Sequence, residues 1–239
     1  MSPDPLTGSI PNGGGPLVYV DDLASPRLSD DDHHHLSRAR RLRTGDGLII
    51  SDGAGRWRRA RFEGHEPEPD GPVVAEGSSD PSVTVAFALV KGTRPELAVQ
   101  KLTEVGIDLI VPFVAARSVV RWDDRRAEQN HRRLVKVSRE AAMQSRRSRL
   151  PEVTEVLDFD AAAALPGACL ADRGGSAPSL EHPTVLVGPE GGWDPAEAEV
   201  DLPVVSLGTG VLRAETAAIV AGGLLVALRA GLIGEVRPR

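Results

Sequence analysis

Cysteine, lysine and aromatic residues are scarce in this 239-residue chain: one Cys, three Lys among 28 basic residues, and eight Phe, Tyr and Trp together. The lone Cys169 admits no internal disulfide, which excludes a disulfide-stapled secreted scaffold. No charged n-region and apolar h-region opens the sequence, so the expected compartment is the cytoplasm. No apolar run approaches the roughly 18 residues of a membrane span. With few aromatics, the core must be built from Val, Leu, Ile and Ala. What is present is a globular composition, 41% hydrophobic and 26% charged, enough for one large domain or a small one with a medium one. Disordered and fibrous classes are excluded.

The net charge of −6 hides an asymmetry. Residues 1–80 carry 9 basic and 14 acidic groups, residues 81–150 carry 14 and 7, and residues 151–239 carry 5 and 13. A basic island inside an acidic protein suits a polyanion, although a solvated helix face gives the same composition. Nearly all the cations are arginine, whose planar fork donates two parallel hydrogen bonds to phosphate. They fall in three clusters: Arg38 to Arg43, Arg56 to Arg61, and the segment Arg125 to Arg149.

Residues 1–15 are rich in Pro, Gly and Ser without periodicity and read as a flexible tail. Short β-like runs follow at 17–20, 47–51, 57–62 and 73–75, interrupted by one helix over 29–43, which predicts a small β-barrel domain over 16–78. From residue 81 to 239 strands alternate with helices, the pattern of an α/β domain with a parallel sheet. The strands are predicted at 83–90, 109–114, 184–188 and 204–208, and the helices at 95–105, with Leu97, Leu102 and Val105 on one face, 125–145 and 214–230.

Two strands run into glycine loops. Leu186-Val187-Gly188-Pro189-Glu190-Gly191-Gly192-Trp193 precedes an Asp194-Pro195 helix start, and Leu207-Gly208-Thr209-Gly210-Val211-Leu212-Arg213 opens the last helix. Glycines at the carboxyl ends of buried strands present bare backbone where α/β proteins bind ligands. The second loop is neither the dinucleotide fingerprint nor a P-loop, since Arg213 stands where a third glycine belongs and no Gly-Lys-Ser/Thr occurs. Together the loops predict a backbone-lined cleft for a flat heterocycle such as adenine. His33 to His35 are consecutive and cannot converge on one ion, and no other metal-ligand spacing is present, so no metal is expected. His131 and His182 stand alone as ordinary polar positions, and Cys169 reads as a small buried apolar residue.

Five blocks in order carry a resemblance: KGTRPELAVQKLTEVGID (91–108), ARSVVRW (116–122), REAAMQSRRSRLPEV (139–153), LVGPEGGW (186–193) and LGTGVLRAETA (207–217). They are similar to the signature blocks of the bacterial 16S ribosomal RNA uridine-N3 methyltransferases of the SPOUT superfamily. HHHLSRARRLRTGDGL (33–48) resembles the start of that family's PUA-like RNA-binding domain. The resemblance implies a C-terminal SPOUT α/β domain with a deep trefoil knot, a rare exception to unknotted topology, and a PUA-like N-terminal β-barrel. It implies S-adenosylmethionine as cofactor, S-adenosylhomocysteine as product, no metal, a homodimer, and 16S ribosomal RNA within the 30S subunit as substrate, methylated at the uridine numbered 1498 in bacterial ribosomal RNA.

On that resemblance Val187, Gly188, Pro189, Glu190, Gly191, Gly192, Leu207, Gly208, Leu212, Arg213, Thr216 and Ala217 hold the cofactor. Arg213 and Glu215 are the expected catalytic pair, with Glu215 equally readable as a charge favoured by a helix start. Arg38, Arg41, Arg43, Arg94, Arg117, Arg121, Gln144 and Arg147 are expected to contact RNA. The chain departs from the family in two places: Arg146 replaces a glycine usual at the presumed RNA-facing end of the long helix, and the 172–183 connection is short. The competing readings are a knotted methyltransferase acting on another RNA position such as a ribose 2′-OH, an RNA-binding assembly factor with a degenerate cofactor site, and a nucleotide-binding oxidoreductase.

Overall fold

The computed structural model describes residues 8–234, with Asp124 described by its backbone alone. The chain divides into two compact units. One comprises the residues up to Ser78 together with Arg139–Leu150, and the other comprises Ser79–Ser138 and the residues from Pro151 onward. Among the described residues, no helix is long and apolar enough to cross a membrane.

The first unit is a five-stranded sheet of β1 (Leu17–Tyr19), β2 (Gly47–Ser51), β3 (Arg56–Arg61), β4 (Glu68–Pro69) and β5 (Val74–Ala75). Its order is β1-β2-β3-β4, with β5 also on β3 and all pairs antiparallel except β1 with β2. β2 and β3 alternate as the pleat requires: Leu48 and Ile50 share one small core with Val18, Leu36 and Phe62, while Ile49 joins Tyr19 and Trp57 in another. The helix predicted over 29–43 is shorter. It is α1 (Asp30–His34), capped by the Ser29 hydroxyl accepting from Asp32 N, and it continues as one π-helical segment only to Ala39. Arg41 stops it at φ +58.

Residues 139–150 join this unit because Ala142, Met143 and Leu150 pack on the Tyr19 and Trp57 cluster. Arg139 donates to Asp32 Oδ2 at 2.6 Å, and the Tyr19 hydroxyl donates to the Arg147 carbonyl at 2.6 Å. Burial pushes the Tyr19 phenol well above its usual range.

Arg146 explains itself in the same place. Its φ is +58, the left-handed conformation that a glycine adopts freely and other residues only at about 1–2 kcal/mol. Its guanidinium turns back to donate to the carbonyls of Gly15 (3.0 Å) and Gly13 (2.9 Å), and burial lowers its pKa. Arg146 is therefore a strap on the 13–15 segment, whose composition reads as tail, and it is not aimed outward at RNA. In Arg146→Gly the relieved strain and the lost bonds should nearly cancel in global stability. The change should nevertheless speed amide exchange around residues 13–17, measured by hydrogen–deuterium exchange mass spectrometry; unchanged protection there contradicts the strap.

The second unit is a seven-stranded parallel sheet. Its strands are β6 (Thr84–Ala88), β7 (Leu109–Val114), β8 (Glu152–Val153), β9 (Leu157–Asp158), β10 (Ala168–Ser176), β11 (Thr184–Val187) and β12 (Val204–Val205). The order is β12-β10-β11-β6-β7-β8, with β9 also on β7. Parallel strands are buried on both faces. Val85, Phe87, Ile110 and Val185 face one core with α2 (Arg94–Val105) and α6 (Ala214–Arg229), while Ala86, Ala88, Val111, Phe113 and Leu186 face another with Phe159 and Trp193. The small residues of α6 serve α2: a Cβ on Gly222 would stand 2.7 Å from the Leu102 side chain.

α2 ends at Gly106, which is left-handed at φ +110. Its buried face is Ala98, Val99, Leu102 and Thr103, and Leu97, expected on the core face, is 41% exposed. Five residues separate Leu97 from Leu102, about 140° around a helix, so the two cannot share one face. α3 (Asp124–Gln144) runs from the second unit into the residues of the first. Two short helices complete the unit, α4 (Phe159–Ala163) and α5 (Pro195–Ala198). Cys169 is buried as expected; desolvation pushes its thiol up to about 12, and its Sγ donates to the Thr184 carbonyl at 3.4 Å.

Candidate active site

β10, β11 and β12 end side by side, and their carboxyl ends carry the site. Beyond Val187 the chain turns through Gly188-Pro189-Glu190-Gly191-Gly192, closed by the Gly192 N–H donating to the Pro189 carbonyl at 2.9 Å with Gly192 at φ +71. Trp193 then enters the core. Its ring stacks on Phe113 with centroids 6.2 Å apart and meets Phe159 edge-on, and its indole N–H donates to the Ala171 carbonyl at 3.1 Å. Gly188 lies against that ring: a Cβ there would fall 2.9 Å from Trp193 Cε2. This glycine is required by packing.

Asp194 caps α5, and Glu197, three residues on, completes a capping box by accepting from Asp194 N at 3.1 Å. The other Glu197 oxygen accepts from Ala116 N at 2.7 Å, so one buried carboxylate ties the loop after β7 to the first glycine loop. Arg117 reinforces the tie through the Gly191 carbonyl (3.2 Å) and Asp194 (3.6 Å).

The second loop leaves β12 at Ser206, whose hydroxyl donates to the Gly208 carbonyl at 3.2 Å. Gly208 sits at φ +138, a conformation L side chains rarely adopt, and a Cβ at Gly208 or Gly210 would meet nothing within 4 Å. Between the two loops and the end of β10 lies an open cleft of about 210 Å³. Its first wall is Val187 to Glu190 with Gly192 and Trp193, its second is Ser206 to Gly208 with Gly210 to Leu212, and Ala171 to Arg173 form the floor beside Ala214 and Ala217. Bare backbone edges and apolar Leu207, Val211 and Leu212 suit a flat heterocycle, and the Glu190 and Asp172 carboxylates suit its polar substituents.

Of the residues read from sequence as cofactor contacts, Val187, Gly188, Pro189, Glu190, Gly192, Leu207, Gly208, Leu212 and Ala217 line this cleft. Gly191, Arg213 and Thr216 do not. Arg213 is the exposed N-cap of α6, and its side chain has no partner among the described residues. Glu215, in the first turn of α6, is 8% exposed; Oε1 stands 4.0 Å from Arg94 Nε, and Oε2 is buried without a hydrogen bond. Arg94 also forms an ion pair with Glu190. One guanidinium at the start of α2 thus lies between a carboxylate of the first glycine loop and one in the first turn of α6. Trp193 and Glu197 escaped sequence reading as site residues, although the Asp-Pro-x-Glu spacing that signals the capping box was present.

The residues expected to contact RNA divide between the units. Arg38, Arg41 and Arg43 are exposed on the first, where Arg40 donates to the exposed Gln144 (3.4 Å) and Arg147 is half-buried. Arg94, Arg117 and Arg121 belong to the second, and the first two are engaged on the glycine loops while Arg121 is exposed. In the middle cluster Arg56 pairs with Asp52, Arg61 with Asp70, and Arg58 with backbone carbonyls of Gly71 and Leu23, so most of it is spent within the unit. His33 stacks on His65 at 3.8 Å. Among the described residues, no three His, Cys, Asp or Glu converge on a metal position.

Residues 78–226 match the family model described as an RNA methyltransferase domain, and residues 28–66 match the RNA methyltransferase PUA domain. Ribosomal RNA small subunit methyltransferase E of Mycobacterium bovis is 35% identical over 234 residues, covering 87% of this chain and 89% of the relative. The chain belongs to the ribosomal RNA small subunit methyltransferase E family. The member from Bacillus subtilis is 29% identical, with 84% and 90% covered. Among solved structures, a family member from Neisseria gonorrhoeae bound to S-adenosyl methionine superposes with TM-score 0.73 at 28% identity, covering 89% of this chain and 97% of that one. A probable rRNA methyltransferase from Porphyromonas gingivalis gives 0.77 at 27% identity, with 92% and 100% covered. Family membership accounts for the parallel α/β sheet and for the PUA-type first unit.

Proposed function

We propose that this chain transfers a methyl group from S-adenosylmethionine to N3 of one uridine in 16S ribosomal RNA, at the position numbered 1498, on the 30S subunit in the cytoplasm. The observation that carries the reading is the backbone-lined cleft between the two glycine loops, in a chain whose family member binds that cofactor. The residues fit the group: Gly208 and Gly210 leave space that a Cβ would take up, Leu207 and Leu212 offer apolar cover for an adenine, and Gly188 and Gly192 line the wall with main chain and no side chain. The deep trefoil knot and the homodimer are part of the same proposal. They are supported by β11 lying between β10 and β6 in the sheet and by the half-exposed apolar side of α6, including Ile219, Val220 and Leu224. The domain division at 78–81 is retained in it, with 139–150 serving the RNA-binding unit.

When bound, the cofactor supplies an electrophilic sulfonium methyl. The chain must then present N3 in line with that methyl and remove the imide proton. Arg213, exposed at the N-cap of α6, is the cation placed to stabilise the uridine anion or an adjacent phosphate. Glu215 is the proton acceptor in this reading, supported by its place in the first turn of α6 between Ala214 and Ala217, which line the cleft. Arg94 fixes the other Glu215 oxygen and couples it to Glu190 on the cofactor wall. A uridine whose N3 is hidden in a pair must be unstacked first, and the exposed Arg38, Arg41, Arg43 and Arg121 are the cations available to grip its backbone.

Calorimetric titration with S-adenosylhomocysteine tests the cofactor half directly. One site per chain is expected; absence of binding would return the chain to the RNA-binding assembly-factor reading.

A further inference from the structure

β10 is irregular where it borders the cofactor cleft. Ala171 and Ser176 both stand opposite Val205 of β12, so Asp172, Arg173, Gly174 and Gly175 are extra residues on one strand of the pair. A bulge bends its strand and re-aims its side chains. The sequence supplies what the bend needs. Gly174 is left-handed at φ +78, and a Cβ on Gly175 would fall 2.6 Å from the Val204 carbonyl oxygen, so glycine lets the two strands close again beyond the bulge. Both ends are pinned. The Trp193 indole N–H donates to the Ala171 carbonyl at 3.1 Å, and Ser206 N–H donates to the Ser176 carbonyl at 2.8 Å.

In a regular strand Asp172 and Arg173 would point to opposite faces, yet both line the cleft. Arg173 is the one cation among the described lining residues, and its guanidinium has no ion pair or hydrogen bond among the described residues. Of the two carboxylates in the lining, Glu190 is engaged by Arg94. Asp172 uses only Oδ1, which accepts from Arg173 N at 2.7 Å. The floor therefore carries an unpaired cation beside a carboxylate with an oxygen to spare.

The proposed cofactor has two unlike ends. One is adenosine, for which the glycine loops offer backbone edges and apolar cover; the other is an amino acid, with an α-carboxylate and an α-ammonium on one carbon. An arginine fork donates two parallel hydrogen bonds to a carboxylate, and a carboxylate oxygen accepts from an ammonium. Two neighbouring charges of opposite sign on the protein thus match two neighbouring charges of opposite sign on the ligand. We infer that the Asp172–Arg173 bulge is the subsite for the amino-acid end of the cofactor, with Arg173 on the α-carboxylate and Asp172 on the α-ammonium. It selects ligands that keep this end intact. The inference rests on the proposed S-adenosylmethionine site and adds to it two residues outside the glycine loops.

The test is calorimetric titration of the full chain with S-adenosylhomocysteine and with 5′-methylthioadenosine, which keeps the adenosine and a thioether but lacks the amino acid. The parent should bind S-adenosylhomocysteine at least about ten-fold more tightly, the size of one charge-assisted pair. Arg173→Gln should weaken S-adenosylhomocysteine about ten-fold, and Asp172→Asn, which keeps an acceptor for Arg173 N, about five-fold. Neither should move 5′-methylthioadenosine by more than about two-fold, and both variants, altered at exposed positions, should keep the parent's circular dichroism. Equal weakening of both ligands by either substitution would place that side chain at the adenosine end or in the fold of the bulge, and would overturn the inference. A parent that binds the two ligands equally would also overturn it while leaving the cofactor cleft in place. A chain that binds neither ligand would overturn the cleft reading and the subsite together.

Discussion

Gly188→Ala is expected to weaken S-adenosylhomocysteine binding at least ten-fold and to lower stability by about 1–3 kcal/mol, the usual range for overpacking. The added methyl would meet the Trp193 ring at 2.9–3.1 Å. That ring cannot yield easily, since it is stacked on Phe113, edge-on to Phe159 and hydrogen-bonded to Ala171, which itself borders the cleft. Any shift of Trp193 therefore moves both the loop and the floor. Gly191→Ala is the control within the same motif, because its Cβ would make an ordinary 3.6 Å contact with Arg117. Thermal unfolding and calorimetry of the two variants should differ clearly; equal behaviour would mean that the motif is read for its sequence and not for the Trp193 contact.

Glu215→Gln is expected to lower kcat by roughly 10²–10⁴, the range for loss of a positioned acid–base group, with cofactor affinity within about three-fold of the parent. Glutamine keeps the volume and an acceptor at the Arg94 side, so packing is preserved while proton acceptance is lost. A purely structural carboxylate at the helix start would behave differently: its loss would cost about 0.3–2 kcal/mol of stability and leave kcat in place. Rapid-quench measurement of single-turnover methyl transfer separates the two. An unchanged rate constant would assign Glu215 to holding Arg94 and leave the proton to another group.

The glycine loops were legible because their signal is local: each follows a buried strand, and Gly188, Gly192 and Gly208 are needed for space or for backbone conformation within a few residues. The buried strands β6, β7 and β11 and the helices α2, α3 and α6 were legible from local pattern for the same reason, whereas β10, the longest strand described, was not among the predicted ones. Two-residue strands such as β4, β8 and β9 have no periodicity to read; they exist only because a neighbour offers partners. The assignment of residues 139–150 to the first unit depends on Ala142 and Met143 meeting Tyr19 and Trp57, more than eighty positions away, which no local pattern encodes. Arg146 shows a similar limit. Its departure from the family glycine was visible, but its left-handed backbone and its hold on Gly13 and Gly15 were not. Glu197 and Trp193, the residues that fix the first loop in place, look in sequence like a helix-start acid and a stray aromatic. Their roles come from Ala116 and Phe113, contacts made across the sheet.

The central claim, methyl transfer to uridine N3, is tested most directly by nucleoside mass spectrometry of 16S ribosomal RNA. The RNA is taken from 30S subunits of a strain lacking the modification, before and after incubation with the chain and S-adenosylmethionine. 3-Methyluridine is expected at one site per subunit after incubation and none before. A methyl group found on a ribose 2′-OH or on another base, or no transfer by a chain that binds S-adenosylhomocysteine, would contradict it.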